Sequence, residues 1–386
     1  MRMNSLIDQM APFMVMEVLE KAQSMQKQGI DVVHLEVGEP DFHLPTPIAD
    51  AACQAYRENR THYTHSLGDP ELRDAISAFY KREYQVEVDP GQILVTSGSS
   101  PSILLALLTL CDAGDEVLMS NPGYPCYRNF ALASRAVPKD IPIRAGNGFQ
   151  FDPDEVKAAM TSRTRGIFVN SPMNPCGVLV KDEVFEALSK LGIPILSDEI
   201  YHGLVYEGRA RSILEFTDNA FVLNGFSKRF AMTGLRLGYL IAPKPYMRAL
   251  QILQQNLFIC ASSSAQRAGI AALNGSADAE IAKMRETYNK RRVYMLERLK
   301  EIGFGIQAEP KGAFYIFADA SRYTDDVYRF TFEVLENVHV GITPGVDFGT
   351  AGEGFVRFSY ANSLDRIEEG LNRLDRYLKG LSSARR

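Results

Sequence analysis

The sequence predicts an α/β fold, a large domain built on a mostly parallel sheet, with a second, smaller α+β domain. Three observations carry that prediction. Short, continuous apolar runs alternate with stretches of helical period between residues 92 and 242, the pattern of parallel strands covered on both faces. After Pro243 the character changes to long helical stretches. The last third of the chain then returns to strands separated by helices.

In chain order, an N-terminal arm leads into helical period over residues 15–28, followed by helices over 46–59 and 70–84. QILVT (92–96) is the first strand of the large domain and runs into a Ser-Pro-started helix. EVLMS (116–120), RGIFVN (165–170), IPILSDEI (193–200), FVLNG (221–225) and LGYLIA (237–242) are the next strands. Long helices are expected over 246–274 and 277–302. AFYIFAD, HVGIT and GFVRFSY then read as strands, with helices over 325–336 and 364–380. The expected division is a large domain over 46–279 and a small domain made of 1–45 and 280–386.

Composition narrows the function classes. The apolar share of 46% and charged share of 23% are those of an ordinary globular enzyme. A formal net charge of -5 supplies no basic face for nucleic acid or an anionic membrane. The longest apolar stretch, 103–111, is about half of what a bilayer requires. The opening residues carry Asp8 and Glu17 without a small-residue cleavage site, so they read as an arm and not an export signal. The five cysteines are scattered and in no metal spacing, which points to free thiols and a cytoplasmic protein. The six histidines form no metal spacing either, and there is no P-loop or dinucleotide fingerprint.

The chemistry-bearing residues fall repeatedly just after the strands, where ligands of open α/β sheets bind. Lys228 is the most informative of them, within NGFSKRFAMTGLRLG (224–238). A lysine that forms a Schiff base needs a lowered pKa, and a phosphate-bearing aldehyde needs hydroxyl and guanidinium donors close by. Ser227, Lys228 and Arg236 offer all three from one loop; a solvated surface lysine and arginine are the alternative. TSGSSPS (96–102) places Gly98, Ser99 and Ser100 at a helix start, an anion site, with Ser100 as the cap and Pro101 at the first helical position. An ordinary Ser/Pro cap would look the same. Tyr124, between Gly123 and Pro125, is suited to stacking on a flat ring, or to plain packing. Asn174 sits between Pro172 and Pro175, which fixes its amide as a donor.

Asp198 closes an apolar strand, where a carboxylate needs a cationic partner such as a protonated pyridine nitrogen. An exposed Asp-Glu pair capping a helix is the other reading. Tyr201 follows three residues later and can offer its phenol to a ring oxygen. Arg357, inside the apolar strand GFVRFSY, suits bidentate capture of a substrate carboxylate, with Gly38 adding a backbone contact; a salt bridge to Glu353 or Asp347 is its structural alternative.

In order and spacing, these segments resemble the fold-type I pyridoxal-phosphate aminotransferases, the class I/II family that includes aspartate aminotransferase. The resemblance runs from about residue 35 to 363. It implies a mostly parallel seven-stranded sheet sandwiched by helices and pyridoxal 5′-phosphate as cofactor. It implies that Lys228 holds the cofactor covalently and then shuttles the proton, and that Asp198 pairs with the pyridinium nitrogen. Tyr201 and Asn174 would reach the phenolic oxygen while Tyr124 stacks on the ring. Gly98, Ser99, Ser100, Ser227 and Arg236 would hold the phosphate. Tyr63, in HYTHSLG, resembles the family tyrosine that reaches the neighbouring subunit's phosphate, which implies a homodimer with shared active sites. Arg357 matches the arginine that binds the substrate α-carboxylate, with Gly38 and Asn174 beside it.

The implied reaction moves an amino group from an L-amino acid to a 2-oxo acid, 2-oxoglutarate or pyruvate, by ping-pong kinetics. Two departures stand out: Gly225 replaces a phosphate-binding serine of some members, and SPMNPCG replaces the commoner SPxNPTG. No clear arginine for a second substrate carboxylate is present, and the arm residues APFMVM (11–16) are apolar. They favour a neutral or aromatic amino donor, or else anchor the arm onto a partner subunit. A β-elimination lyase on the same scaffold would use the same lysine. An aminotransferase-like regulator would need a DNA-binding module, for which only about thirty-five residues precede LEVGEPDF.

Overall fold

The computed structural model describes residues 4–384. The arm enters α1 (Met14–Lys27), whose buried face, Val15, Val18, Ala22 and Met25, recurs at helical spacing. β1 (Val33–His34), α2 (Thr46–Arg57) and α3 (Pro70–Tyr84) follow. α3 opens on Asp69, which accepts the Glu71 amide, and it has Pro70 at its first position.

From here strands and helices alternate as the sequence demands. They run β2 (Ile93–Thr96), α4 (Ser99–Leu110), β3 (Glu116–Asn121), α5 (Cys126–Ala133), β4 (Val137–Pro142), α6 (Pro153–Ala159), β5 (Thr164–Asn170), α7 (Asp182–Ser189), β6 (Ile195–Asp198), β7 (Ala220–Gly225) and β8 (Gly238–Ile241). These strands form one seven-stranded sheet in the order β2-β8-β7-β6-β5-β3-β4. β8 runs antiparallel to both neighbours; every other pairing is parallel. Both faces are buried, and the period of two is visible along β2. Ile93 and Val95 enter the core with Leu72, Ile76 and Val169, whereas Leu94 enters the opposite core with Leu107, Phe168 and Leu240.

The rest of the chain supplies α8 (Met247–Leu257), α9 (Ser263–Leu273), α10 (Asp278–Ile302), β9 (Tyr315–Asp319), α11 (Val327–Val338), β10 (Val340–Gly341), β11 (Thr343–Pro344), β12 (Phe355–Ser359) and α12 (Leu364–Ala384). An antiparallel sheet β11-β12-β9 packs with α10 and α12 over a third core, which includes Tyr288, Met295, Tyr315, Phe358 and Leu371. β1 pairs in parallel with β10, Val33 opposite Val340, so the segment after the arm belongs structurally with the C-terminal strands.

Two expectations need correction. The helix expected over 246–274 is two, α8 and α9, because Ile259 turns back at φ 65° and Ser262 starts a new helix as its cap. HVGIT is split between β10 and β11, which belong to different sheets. β4 was not foreseen. VPKDIP carries two prolines and two charges, which suit an edge strand and hide it from an apolar-run search. No helix among the described residues is long and apolar enough to cross a membrane.

Candidate active site

The carboxyl ends of β2, β3, β5, β6 and β7 point at one region, closed from the other side by α1 and the C-terminal sheet. A cavity of about 350 Å³ lies there. Its lining includes Gly38, Ser99, Ser100, Tyr124, Asn174, Asp198, Tyr201, Lys228 and Arg357, all singled out from sequence. Gly98 and Arg236 lie together beside them: a Cβ on Gly98 would come within 2.5 Å of an Arg236 guanidinium nitrogen. Gly98 has φ 89°, so both its conformation and the close approach require glycine. Gly238 is equally constrained, since a Cβ there would meet the Gly98–Ser99 backbone at 2.5–2.9 Å. Ser227 is buried at the end of β7, and Tyr63 stands apart, 81% exposed.

The helix start differs in detail from expectation. α4 begins at Ser99 with Gly98 as its N-cap residue, and Pro101 falls inside the first turn. A proline is tolerated there because first-turn N–H groups have no intrahelical acceptor. The turn thus presents the Ser99 and Ser100 amides of a twelve-residue helix beside a guanidinium, an arrangement suited to an anion.

Asp198 is buried, not an exposed cap. Its Oδ2 accepts the Tyr127 hydroxyl at 2.5 Å and its Oδ1 accepts the Ile200 amide at 3.2 Å. Burial nevertheless raises its pKa to about 6, against the lowering effects of Tyr127, the Ile200 amide and Lys228. A carboxylate held this way in front of a cavity is fitted to a cationic ring nitrogen. Asn170, its cross-strand partner, donates to the Asp198 carbonyl at 2.9 Å and accepts the Asn174 amide at 2.7 Å.

Lys228 donates from Nζ to the Gly38 carbonyl at 2.8 Å. Its pKa is lowered to about 8, mainly by burial, with Arg236 and Arg357 adding to the lowering and Glu39 and Asp198 opposing it. The amine is therefore far closer to its neutral, nucleophilic form than an exposed lysine.

Arg357 is 2% exposed, and the carboxylates of Asp347 and Glu353 accept backbone amides, those of Met14 and Val15 and that of Val327, respectively, in place of a hydrogen bond from Arg357. Its guanidinium lies 4.2 Å from the Tyr315 ring centroid and 4.8 Å from that of Phe348. Nη1 donates to Asn174 Oδ1 at 3.0 Å and Nη2 to the Glu36 carbonyl at 2.7 Å, while Nε has no partner among the described residues. A buried guanidinium that opens on a cavity with one donor still unpartnered among the described residues is fitted to a carboxylate. Because Asn174 Oδ1 is taken by Arg357, its NH₂ is left as the donor towards the cavity. Tyr201 shares a hydrogen bond of 3.0 Å with Tyr315, whose hydroxyl also fills the space over Gly38.

Sequence reasoning missed Tyr127, Asn170, Tyr315 and Asp347. Asn170 did carry a signal, as a polar residue closing an apolar strand just as Asp198 does. Tyr127 and Tyr315 lie in an aromatic-rich turn and an apolar strand, where nothing local marks one tyrosine from another. Asp347 accepts the amides of Met14 and Val15 at 2.8 and 3.3 Å, a contact across 333 residues that no local pattern announces.

Comparison with known proteins decides the family. A family model described as aminotransferase class I and II matches residues 30–374. The chain belongs to this family. It is 40% identical to a (5-formylfuran-3-yl)methyl phosphate transaminase of Methanocaldococcus jannaschii, covering 95% of this chain and 96% of that one. Identity is also 40% to a valine–pyruvate aminotransferase of Mycobacterium tuberculosis, over 95% and 96% of the two chains. Among solved structures, the aspartate aminotransferase of Thermus thermophilus with maleate superposes with a TM-score of 0.93 at 34% identity, over 97% of this chain and all of that one. The chain is thus an aminotransferase of a family that depends on pyridoxal 5′-phosphate, and the seven-stranded α/β fold expected from sequence is the one observed.

Proposed function

We propose that this chain binds pyridoxal 5′-phosphate through Lys228 and transfers an amino group from an L-amino acid to a 2-oxo acid by a ping-pong mechanism. The observation that carries the reading is the cavity lined together by a lysine with a depressed pKa, a buried carboxylate and a buried arginine whose Nε has no partner among the described residues. The residues fit the cofactor. The turn at Gly98, Ser99 and Ser100, with Ser227 and Arg236, would hold its phosphate. Tyr124 would lie against the ring, Asp198 would neutralise the ring nitrogen, and Tyr201 and Asn174 would donate to the ring oxygen. When bound, the group supplies an electron sink for the substrate α-carbon.

The chain's own residues do the rest. Arg357, with Gly38 and Asn174 beside it, grips the α-carboxylate and fixes the α-carbon. Lys228 Nζ takes the α-proton as base and returns it as acid, for which a pKa near 8 is suited. Asp198 stays ionised once a cation faces it and holds the electrostatic balance of the site. Tyr63, exposed on one protomer, would complete the phosphate site of a second, giving a cytoplasmic homodimer with large domain 46–279 and small domain 1–45 plus 280–386.

The test is an absorbance change on adding an amino donor alone to the holoenzyme, reversed by a 2-oxo acid. No change with any common amino acid would defeat the reading. Pyruvate and ammonia released from a cysteine conjugate, without transfer, would make it a lyase.

A further inference from the structure

Tyr315, on β9, lines the cavity but takes no part in the steps above. It is 1% exposed and touches three groups of the site at once. Its hydroxyl lies 3.0 Å from that of Tyr201. Its ring lies against the Arg357 guanidinium, 4.2 Å from carbon to centroid. Its tip closes over Gly38, where a Cβ would come within 2.2 Å of the hydroxyl oxygen. The missing side chain of Gly38 therefore admits the phenol, and the Gly38 carbonyl accepts the Lys228 amine.

Strand register explains how one residue reaches so much. In the antiparallel pair β9–β12, Arg357 lies opposite Phe317 and Tyr315 opposite Ser359. Tyr315 and Arg357 are thus diagonal neighbours on one face of the small sheet. Burial raises the pKa of both Tyr201 and Tyr315, so both hydroxyls keep their protons. Two phenols carry two protons, and the bond between them uses one. With Tyr315 as donor, the Tyr201 proton is left for the cavity. A hydroxyl that accepts a hydrogen bond also donates a stronger one.

We propose that Tyr315 is a positioning residue with two separable parts. Its hydroxyl orients Tyr201 and strengthens the bond that Tyr201 donates to the ring oxygen of pyridoxal 5′-phosphate. Its ring holds the Arg357 fork in the orientation that grips a substrate carboxylate. One side chain thereby sets both the ring-oxygen donor and the carboxylate clamp. The inference rests on the cofactor reading above and deepens it.

The experiment uses the protein loaded with pyridoxal 5′-phosphate and follows the absorbance of the bound cofactor against pH. Donation to an anionic ring oxygen disfavours the protonated chromophore, so weaker donation raises the midpoint of the colour change. In Y315F the midpoint should rise by about half a pH unit. Y201F should raise it more, and Y201F/Y315F no further than Y201F, because the Tyr315 hydroxyl acts through Tyr201. The part played by the ring is read by titrating propionate, a carboxylate with no amino group, at a pH below every midpoint. Its Kd should be unchanged in Y315F, which keeps the ring, and about tenfold weaker in Y315L, which removes it. An unmoved midpoint in Y315F, or a further rise in the double variant, would overturn the role of the hydroxyl. An unmoved Kd in Y315L, or propionate that the wild type does not bind, would overturn that of the ring. Either result leaves the cofactor reading intact if the wild type is coloured. A wild type that forms no coloured complex would remove both readings together.

Discussion

The Tyr127 hydroxyl donates to Asp198 Oδ2 at 2.5 Å, inside the core between α5 and β6. Tyr127 stacks flat on Phe168, with centroids 4.5 Å apart and planes 5° from parallel, so the phenol cannot swing away. This bond opposes the effect of burial on the carboxyl. In Y127F the Asp198 pKa should rise further. The acid limb of the kcat/KM profile should then move to higher pH, with about tenfold lower turnover near neutrality. A limb that stays in place would mean that Tyr127 only packs.

Arg357 offers a planar fork stacked between Tyr315 and Phe348, and lysine cannot reproduce either property. R357K should keep the fold and the cofactor but lose about 100-fold in kcat/KM for the amino donor, mainly through KM. Steady-state kinetics on the variant check this, with the absorbance of bound cofactor as the control.

Capture of added pyridoxal 5′-phosphate by cofactor-free protein needs the neutral amine of Lys228. With the pKa lowered to about 8, the second-order capture rate should rise with pH below that value and level off above it. A rise that continues to about pH 10, the range of an ordinary lysine, would contradict the lowered pKa. Stopped-flow absorbance over pH 6–10 provides the measurement.

Glu199 points to the opposite side of β6 from the cavity. It accepts from Ser197, Ser212 and Tyr80 side chains and from the Ile213 amide. Burial raises its pKa to about 8 from 4.5, so between those values the folded protein holds a proton that the unfolded chain releases. Its contribution is therefore complete below pH 4.5 and is lost as pH rises through 8. His202, driven down to about 3 by burial, acts in the opposite sense, but only below its unfolded value of 6.5. Between pH 6.5 and 8, then, wild-type Tm should fall relative to that of E199Q. Thermal melts of both proteins across this window test the sign.

How much of this was legible in the sequence follows from where each residue's information lies. Asp198 and Lys228 announce themselves because a charge at the end of an apolar strand conflicts with local burial and so needs a ligand. Gly98 and Gly238 are legible as glycines, although their purpose, mutual approach and room for Arg236, is tertiary. The amphipathic helices α1, α3, α11 and α12 lie within a few residues of expectation, whereas the short α5, α6 and α7 were not placed. β4 was missed because an edge strand need not be apolar, and the α8–α9 break because a left-handed Ile259 leaves no compositional trace. Tyr127, Tyr315 and Asp347 act through partners 71, 114 and 333 residues away, respectively, a separation no window spans.

The central claim is the covalent hold of Lys228 on pyridoxal 5′-phosphate, and borohydride reduction of the loaded protein followed by peptide mapping tests it most directly. One phosphopyridoxyl group should appear on the peptide containing Lys228, and K228A should carry none and show no turnover. Label on another lysine, or a wild-type protein that remains unlabelled with excess cofactor, would contradict the account.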